Sequence, residues 1–530
     1  MPTQESVFRH FGVMLDCSRN AVMRPEAVCR FLDTIVPLGY NTLMLYTEDT
    51  YEIDGQPYFG HGRGRYSREE LKRIDAYAAS KGVELIPCIQ TLAHLNALMQ
   101  WPVYCAIRDT DDILLAEDER VYALIDSMFA TLAECFTSRT VNVGMDEAHN
   151  LGLGRYLEQH GYKNRTEILL RHVQRVAKIA EKYGFTMCMW GDMFFRLAGG
   201  KQATADAVQG KIPHNVRLIY WDYYSQDKAH YDDWIDAYKP LSRELWFAGG
   251  AWRWNGFAPR NNFSIDACHA SIASCREHGI EDVIITAWGD NGAECPIMAV
   301  LPTLYAAAQF ARGNDDMDSI RAGFEAAYNC RMEDYLLLEL PENPGDILAN
   351  PEKYLLYNDC FMGKFDSLLS PEVAAGYAAH AKRLLPMTQH PQFGYLFETA
   401  RRLCLVLAKK ADLGCRTRAA YLAGDHAVLA ALVPEYSETQ RLLDSFTAAF
   451  EKQWMAENKP HGFDVQDIRL GGLSRRLLHC RDRLQQYLDG DIERIEELEE
   501  PVLDPVCRPE APKGTLNFNN WRDTVTCNVL

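Results

Sequence analysis

Two adjacent carboxylates, Asp146 and Glu147, stand at the end of an apolar run, Thr140-Val141-Asn142-Val143-Gly144-Met145. A β-branched, alternating segment that stops on acids reads as a buried strand delivering charge to its own C-terminal edge. Burying two acids side by side is costly unless chemistry or a partner offsets it. Acids so placed can donate a proton or stabilise developing positive charge. The elements around them decide which chemistry is in reach.

Over the first ~315 residues one theme recurs: a helix stops at a glycine and an apolar strand follows. Gly39 precedes Asn41–Tyr46, Gly82 precedes Val83–Ile89, Gly184 precedes Phe185–Trp190, and Gly279 precedes Val283–Trp288. The helix starts agree. Pro25 suits a first turn, Ser67-Arg68-Glu69-Glu70 has capping-box spacing, Asn164 precedes a 3.6-residue apolar period, and Ser264 can cap the helix ending at Gly279. Adding Phe11–Asp16, Thr140–Met145, Val216–Trp221 and Glu244–Gly249 gives eight strands in β-then-α order. The expected fold is an α/β (β/α)8 TIM barrel over residues 1–315. An open doubly wound sheet is the runner-up, but no GxGxxG follows the first strand. Beyond residue 316 the strand signals vanish. Amphipathic periods around Leu396–Ala411, Leu442–Phe450 and Leu473–Tyr487 predict an all-α C-terminal domain over 316–511, with an irregular tail at 512–530. Trp521 in that tail is expected to dock on its own domain or on a second subunit, and a homodimer is the expected assembly.

A chain of 530 residues with 47% hydrophobic content fills large cores, and its net charge of −18 lacks the basic face of a nucleic-acid binder. No apolar run has the roughly 18–20 residues of a membrane span, and the first nine residues show no leader pattern. The 16 cysteines are scattered without a close CxxC pair, as for reduced thiols. The expectation is a cytoplasmic protein without nucleic-acid or membrane partners.

In a TIM barrel chemistry sits at the C-terminal strand ends. There the sequence sets Asp16 and Arg19, then Tyr46, Glu48 and Asp49, then Gln90 and His94, then Asp146 and Glu147. Trp190 and Asp192, Trp221 to Tyr224, Trp252 and Trp254, and finally Trp288, Asp290 and Glu294 complete the ring. Aromatic walls with interleaved carboxylates and an arginine suit a sugar, whose C–H faces pack on rings while its hydroxyls meet charge.

Competing readings fail on particular absences. Asp-Glu-Ala-His spells a helicase box, but no Gly-Lys-Ser/Thr phosphate loop occurs. His149 has no HExxH or cysteine-rich partner set, so neither metal nor cofactor is expected. A two-carboxylate retaining glycosidase needs an acid after strand seven, which instead ends Phe247-Ala248-Gly249-Gly250-Ala251. Two neighbouring acids on one strand are too close to act as opposed acid and base across a sugar. What remains is a substrate that supplies its own nucleophile.

These residues resemble those of glycoside hydrolase family 20, the β-N-acetylhexosaminidases. Leu15-Asp16-Cys17-Ser18-Arg19 is similar to the family's first-strand Leu-Asp-x-x-Arg. Pro87 through His94-Leu95-Asn96-Ala97 is similar to its Pro…His-x-Asn-Ala, and Gly144-Met145-Asp146-Glu147 to its Gly-Gly-Asp-Glu. The long helical C-terminal region is similar to that of a bacterial, intracellular exo-β-N-acetylglucosaminidase subgroup. The resemblance implies an exo-acting, retaining enzyme working through an oxazolinium ion on glycosides or oligosaccharides with a terminal N-acetylhexosamine. It implies Glu147 as general acid with a raised pKa, and Asp146 as the group orienting the acetamido nitrogen. A strand-six tyrosine would donate to the acetamido oxygen; alternation favours Tyr223 over Tyr224. His94 and Asp49 would form a relay behind Glu147, and Arg19 would bind sugar hydroxyls O3 and O4. Trp190, Trp221 and Trp288 would cage the acetamido methyl and the ring, with Asp192 and Trp252 among the binding residues. Asp290 or Glu294 would meet O4 and O6. Two alternatives are a non-catalytic sugar-binding barrel and a related substrate-assisted β-N-acetylgalactosaminidase.

Overall fold

The structure, a computed structural model, describes residues 7–342, 350–506, 516 and 521–526. The chain divides into two compact units. The first comprises Met1–Ala251, Asn261–Trp288 and Leu301–Ala327, and the second Trp252–Arg260, Gly289–Val300 and Tyr328–Leu530.

The first unit is a closed barrel of eight parallel strands in chain order. They are β1 (His10–Asp16), β2 (Thr42–Tyr46), β3 (Glu84–Cys88), β4 (Thr140–Asn142), β5 (Thr186–Trp190), β6 (Val216–Trp221), β7 (Trp246–Gly250) and β8 (Asp282–Ala287). The register sets the ends of β1 to β4 level, with β5 running two residues further. Asp16 pairs with Tyr46, Tyr46 with Cys88, Cys88 with Asn142, and Asn142 with Cys188. Strands covered on both faces become nearly continuous apolar runs, as Val283–Ala287 shows.

Helices follow the predicted caps. Ser67 Oγ accepts the Glu70 N–H at 3.1 Å while the Glu70 carboxylate accepts the Ser67 N–H at 2.9 Å, which starts the helix Arg68–Ser80. Asn164 caps Arg165–Lys182 through the Glu167 N–H. That helix buries Ile168, Leu169, Val173 and Val176, each stabilising by roughly 1.5–3 kcal/mol. Ser264 behaves differently from expectation. It lies buried inside the helix Asn261–Glu277, which begins three residues earlier.

The second unit is helical. Its long helices are Gly394–Lys410, His426–Glu457 and Phe463–Asp489, and they contain the three periods read from the sequence. Trp521 is 3% exposed, stacked on Tyr357 at 4.8 Å, with the Lys353 ammonium 3.8 Å from its ring centroid. It therefore docks on its own unit; the rest of the expected tail lies outside the described residues, except 512–530's positions 516 and 522–526. No two described cysteines are joined in a disulfide, and among the described residues no helix is long and apolar enough to cross a membrane.

Candidate active site

β4 is shorter than its apolar run. Hydrogen-bonded strand stops at Asn142, and Val143–Glu147 form a turn over the barrel end. Gly144, Met145 and Glu147 have φ of 75°, 72° and 50°. Left-handed backbone is uncommon outside glycine and concentrates where surrounding structure enforces it. At Gly144 the enforcement is steric. A Cβ there would stand 2.0 Å from Gln90 Oε1 and 2.8 Å from the Ile89 carbonyl oxygen.

Gln90 is the clamp of this turn. Its side-chain amide donates to Asp146 Oδ1 at 2.7 Å and to the Tyr46 hydroxyl at 2.9 Å, and its carbonyl accepts the Met145 N–H at 3.1 Å. The turn leaves the two acids in different settings. Asp146 is buried, 5% exposed, whereas the Glu147 side chain is 42% exposed. His94 Nε2 stands 3.1 Å from Asp146 Oδ2 and 3.7 Å from Glu147 Oε2. Burial alone would lower the His94 pKa, but the Asp146 charge outweighs it and raises the pKa to about 9. The same pairing works on Asp146. Burial raises its pKa, the imidazolium opposes, and the net shift is downward.

Asp192, at the end of β5, accepts the Glu147 N–H and the Trp221 indole N–H, both at 3.3 Å. Burial, then the neighbouring Asp146 charge, lifts its pKa to about 7. On the opposite side of the barrel, Asp16 accepts the Ser18 and Arg19 N–H groups at 3.0 and 3.1 Å. The Arg19 guanidinium lies 4.7 Å from the Tyr46 ring and 4.4 Å from the Trp288 ring. Trp288 is 4.8 Å from Tyr46 and 6.0 Å from Trp190, and Trp221 stacks on Tyr223 at 5.4 Å. Tyr223 is 6% exposed and Tyr224 is 52% exposed.

Several candidates lie elsewhere than expected. Asp49 does not back His94; it pairs with Arg63 and accepts the Gly60 N–H. Alternation explains this, since Tyr46 and Glu48 share one side and are joined at 3.3 Å, while Asp49 turns to the loop 60–63. Glu48 contributes charge to His94 instead. Trp252, Trp254, Asp290 and Glu294 belong to the second unit. Trp252 and Trp254 pack together at 4.7 Å, and Glu294 is buried between Lys353 and Arg469. His149 is exposed. Gln90 and Glu48 stand at strand ends in the sequence without a motif that marks their role, since neither a lone amide nor a lone acid shows which way it turns.

A parallel barrel that gathers acids, an arginine and aromatic rings at its C-terminal strand ends can meet both the faces and the hydroxyls of a sugar. A family model described as the glycosyl hydrolase family 20 catalytic domain matches residues 8–233, and one described as the glycoside hydrolase 20C C-terminal domain matches 334–516. The chain belongs to glycoside hydrolase family 20. It is 27% identical over 221 residues to Hexosaminidase D of Bos taurus, covering 39% of this chain and 62% of that one. It is 26% identical over 215 residues to the Homo sapiens Hexosaminidase D, covering 38% and 43%. The chain thus spans less than two thirds of the length of either relative. Among solved structures, the exo-β-N-acetylglucosaminidase of Vibrio harveyi in complex with N-acetylglucosamine is similar at a TM-score of 0.47 and 16% identity, over 63% of this chain and 58% of that one.

Proposed function

We propose that the protein is an exo-acting, retaining β-N-acetylhexosaminidase that removes terminal β-linked GlcNAc or GalNAc by substrate-assisted catalysis. The observation that carries this reading is the turn Gly144–Glu147. It buries Asp146 against a histidine cation, leaves Glu147 open, and faces no carboxylate from the end of β7. In this reading Glu147 gives its proton to the glycosidic oxygen as the C1–O bond breaks. The acetamido carbonyl oxygen forms the new bond to C1, giving the oxazolinium ion. Asp146 stabilises the positive charge that develops on the acetamido nitrogen, and Tyr223 donates to the acetamido oxygen. Water then attacks C1 as the bond from C1 to the acetamido oxygen breaks and the acetamido group is restored, and Glu147 takes a proton back from that water. Arg19 binds hydroxyls at the far end of the ring, and Trp190, Trp221 and Trp288 line it. Described cysteines without a disulfide among them fit action in a reducing compartment.

The test is steady-state kinetics on aryl β-GlcNAc and aryl β-GalNAc, with a thiazoline mimic of the intermediate as inhibitor. Turnover of at least one glycoside is expected, with the thiazoline bound about 10²-fold or more tighter than free GlcNAc. Turnover without thiazoline inhibition would replace the substrate-assisted route by another one.

A further inference from the structure

The second unit holds a cavity of about 200 Å³ that the function proposed above does not use. It lies where the helix Gly394–Lys410 ends, beside the helix Phe463–Asp489 and the turn that follows the helix Pro351–Tyr357.

One of its lining residues, Lys410, is only 2% exposed. A lysine ammonium has three donors. Two of them go to the carbonyl oxygens of Leu355 and Asn358, at 3.0 and 2.6 Å. Among the described residues the third has no partner, and no carboxylate pairs with the charge. A lysine that only caps a helix end can do so with its charge in water. A buried charge without a counter-charge is costly, and a bound anion would offset that cost.

We infer that this cavity is a binding site for a small organic monoanion, a carboxylate carried on a short apolar chain. Charge sets the sign. The cavity is lined by two cations, Lys410 and Arg476, and by one acid, Asp359. Asp359 is fully engaged. It accepts Arg476 Nε and Nη2 at 2.6 and 3.0 Å and the N–H groups of Phe361 and Met362 at 2.8 and 3.0 Å. Arg476 Nη1 has no hydrogen-bond partner among the described residues. Two further acids stand outside the lining. Glu497 is 3.9 Å from Arg476 Nη2, and Asp366 accepts the Asn358 side-chain amide at 2.8 Å under the charges of Arg418 and Lys410. The lining itself keeps one positive charge, which suits a monoanion rather than a phosphate dianion. The walls set the rest of the ligand. Met362, Leu473 and Leu477 face the cavity, and a hydrocarbon chain gains from burial against them while an inorganic ion does not.

The experiment is isothermal titration calorimetry of the whole chain with hexanoate, with its neutral isostere hexanamide, and with inorganic phosphate. Hexanoate is expected to bind with a Kd of about 1 mM, as one charge-assisted contact and a short buried chain would give. Lys410→Met keeps the apolar stem and removes the charge, and should weaken hexanoate at least about tenfold. Gly472 lines the same cavity, and a Cβ added there meets nothing within 4 Å. Gly472→Leu therefore occupies the space without touching Lys410, and should abolish hexanoate binding while turnover of aryl glycosides stays as in the wild type. If a thermal melt shows that Lys410→Met does not fold, Gly472→Leu decides. A wild type that does not bind hexanoate, hexanamide or phosphate binding as tightly as hexanoate, or undiminished binding in Gly472→Leu would each overturn the inference. None of these results bears on the acids of the barrel, so the proposed function stands or falls separately.

Discussion

Two histidines of the barrel unit, at its two ends, have almost the same electrostatics and very different surroundings. His10 opens β1 and His94 follows β3; their side chains are 18% and 19% exposed. For each, burial lowers the pKa and carboxylates more than compensate, to about 9. His10 uses both nitrogens, at 2.6 Å from Asp282 and 3.1 Å from Glu84, and stacks on Trp246 at 5.0 Å. Asp282 is further held by Arg9 at 2.9 Å. This network is closed, at the barrel face where fixed charge serves stability. His94 instead has φ of 57° and aims one nitrogen at two carboxylates, one of which is open to solvent. A raised histidine pKa therefore does not mark a site. Incomplete pairing, left-handed backbone and an exposed acid together do.

The comparison breaks most sharply at Glu147. Glu147→Gln is expected to cost about 10⁴-fold in kcat on aryl β-GlcNAc with little change in melting temperature, and Asp146→Asn about 10²–10³-fold together with a lower melting temperature, because the buried His94 cation loses the charge that stabilises it. Near-normal turnover by Glu147→Gln would sink the assignment of the acid. The histidines come next, with opposite readouts. His94→Gln should lose about 10–100-fold in activity, matching one charge-assisted contact, while staying folded. His10→Ala should lose about 2 kcal/mol of stability in denaturant unfolding while the folded fraction keeps its activity. If both variants lose only stability, the two ends do not differ in kind.

Alkali sharpens the same contrast. The folded pKa of both rings, about 9, lies above the ordinary value of 6.5. Their stabilisation is complete below about pH 6.5 and is lost as pH rises through 9. Melting temperature should fall across that window, and fall less steeply in His10→Ala. A parallel decline in variant and wild type would show that His10 carries none of it.

The barrel was legible because its signals are local. Helix-stopping glycines, the Ser67–Glu70 box and apolar runs each occupy a few consecutive residues; the box forms as expected and every run holds a strand, although β4 stops at Asn142, short of its run. The acid pair was legible for the same reason. What the sequence hid depends on which way a side chain turns after a strand has ended. Asp49 and Glu48 are neighbours, yet one meets Arg63 and the other contributes charge to His94. Gln90 interrupts a largely apolar run, Cys88 to Ala93, and its role exists only because Gly144 lets the β4 turn close over it. Glu294 follows the β8 tryptophan as a sugar ligand could, but Lys353 and Arg469, distant in sequence, hold it.

Asp192 is the subtlest place to test whether the active end accepts instability for chemistry. Its folded pKa, about 7, lies above the ordinary aspartate value, first through burial and then through Asp146. Between about pH 4 and 7 the folded protein therefore holds a proton that the unfolded chain has released, so this group's contribution to stability declines as pH rises through that window. At pH 8 the folded carboxylate is ionised and buried. Asp192→Asn removes that burden while keeping one carbonyl acceptor for the Glu147 or Trp221 N–H. The variant should melt at a higher temperature than wild type at pH 8, yet lose somewhat under about tenfold in kcat, the worth of one weakened hydrogen bond. An inflection near pH 7 in the wild-type kcat profile should vanish in the variant. His10→Ala should do the reverse, losing stability and leaving the profile intact. If Asp192→Asn keeps the inflection, the group that titrates there is another one, and Asp192 holds the Glu147 backbone without setting its pH dependence.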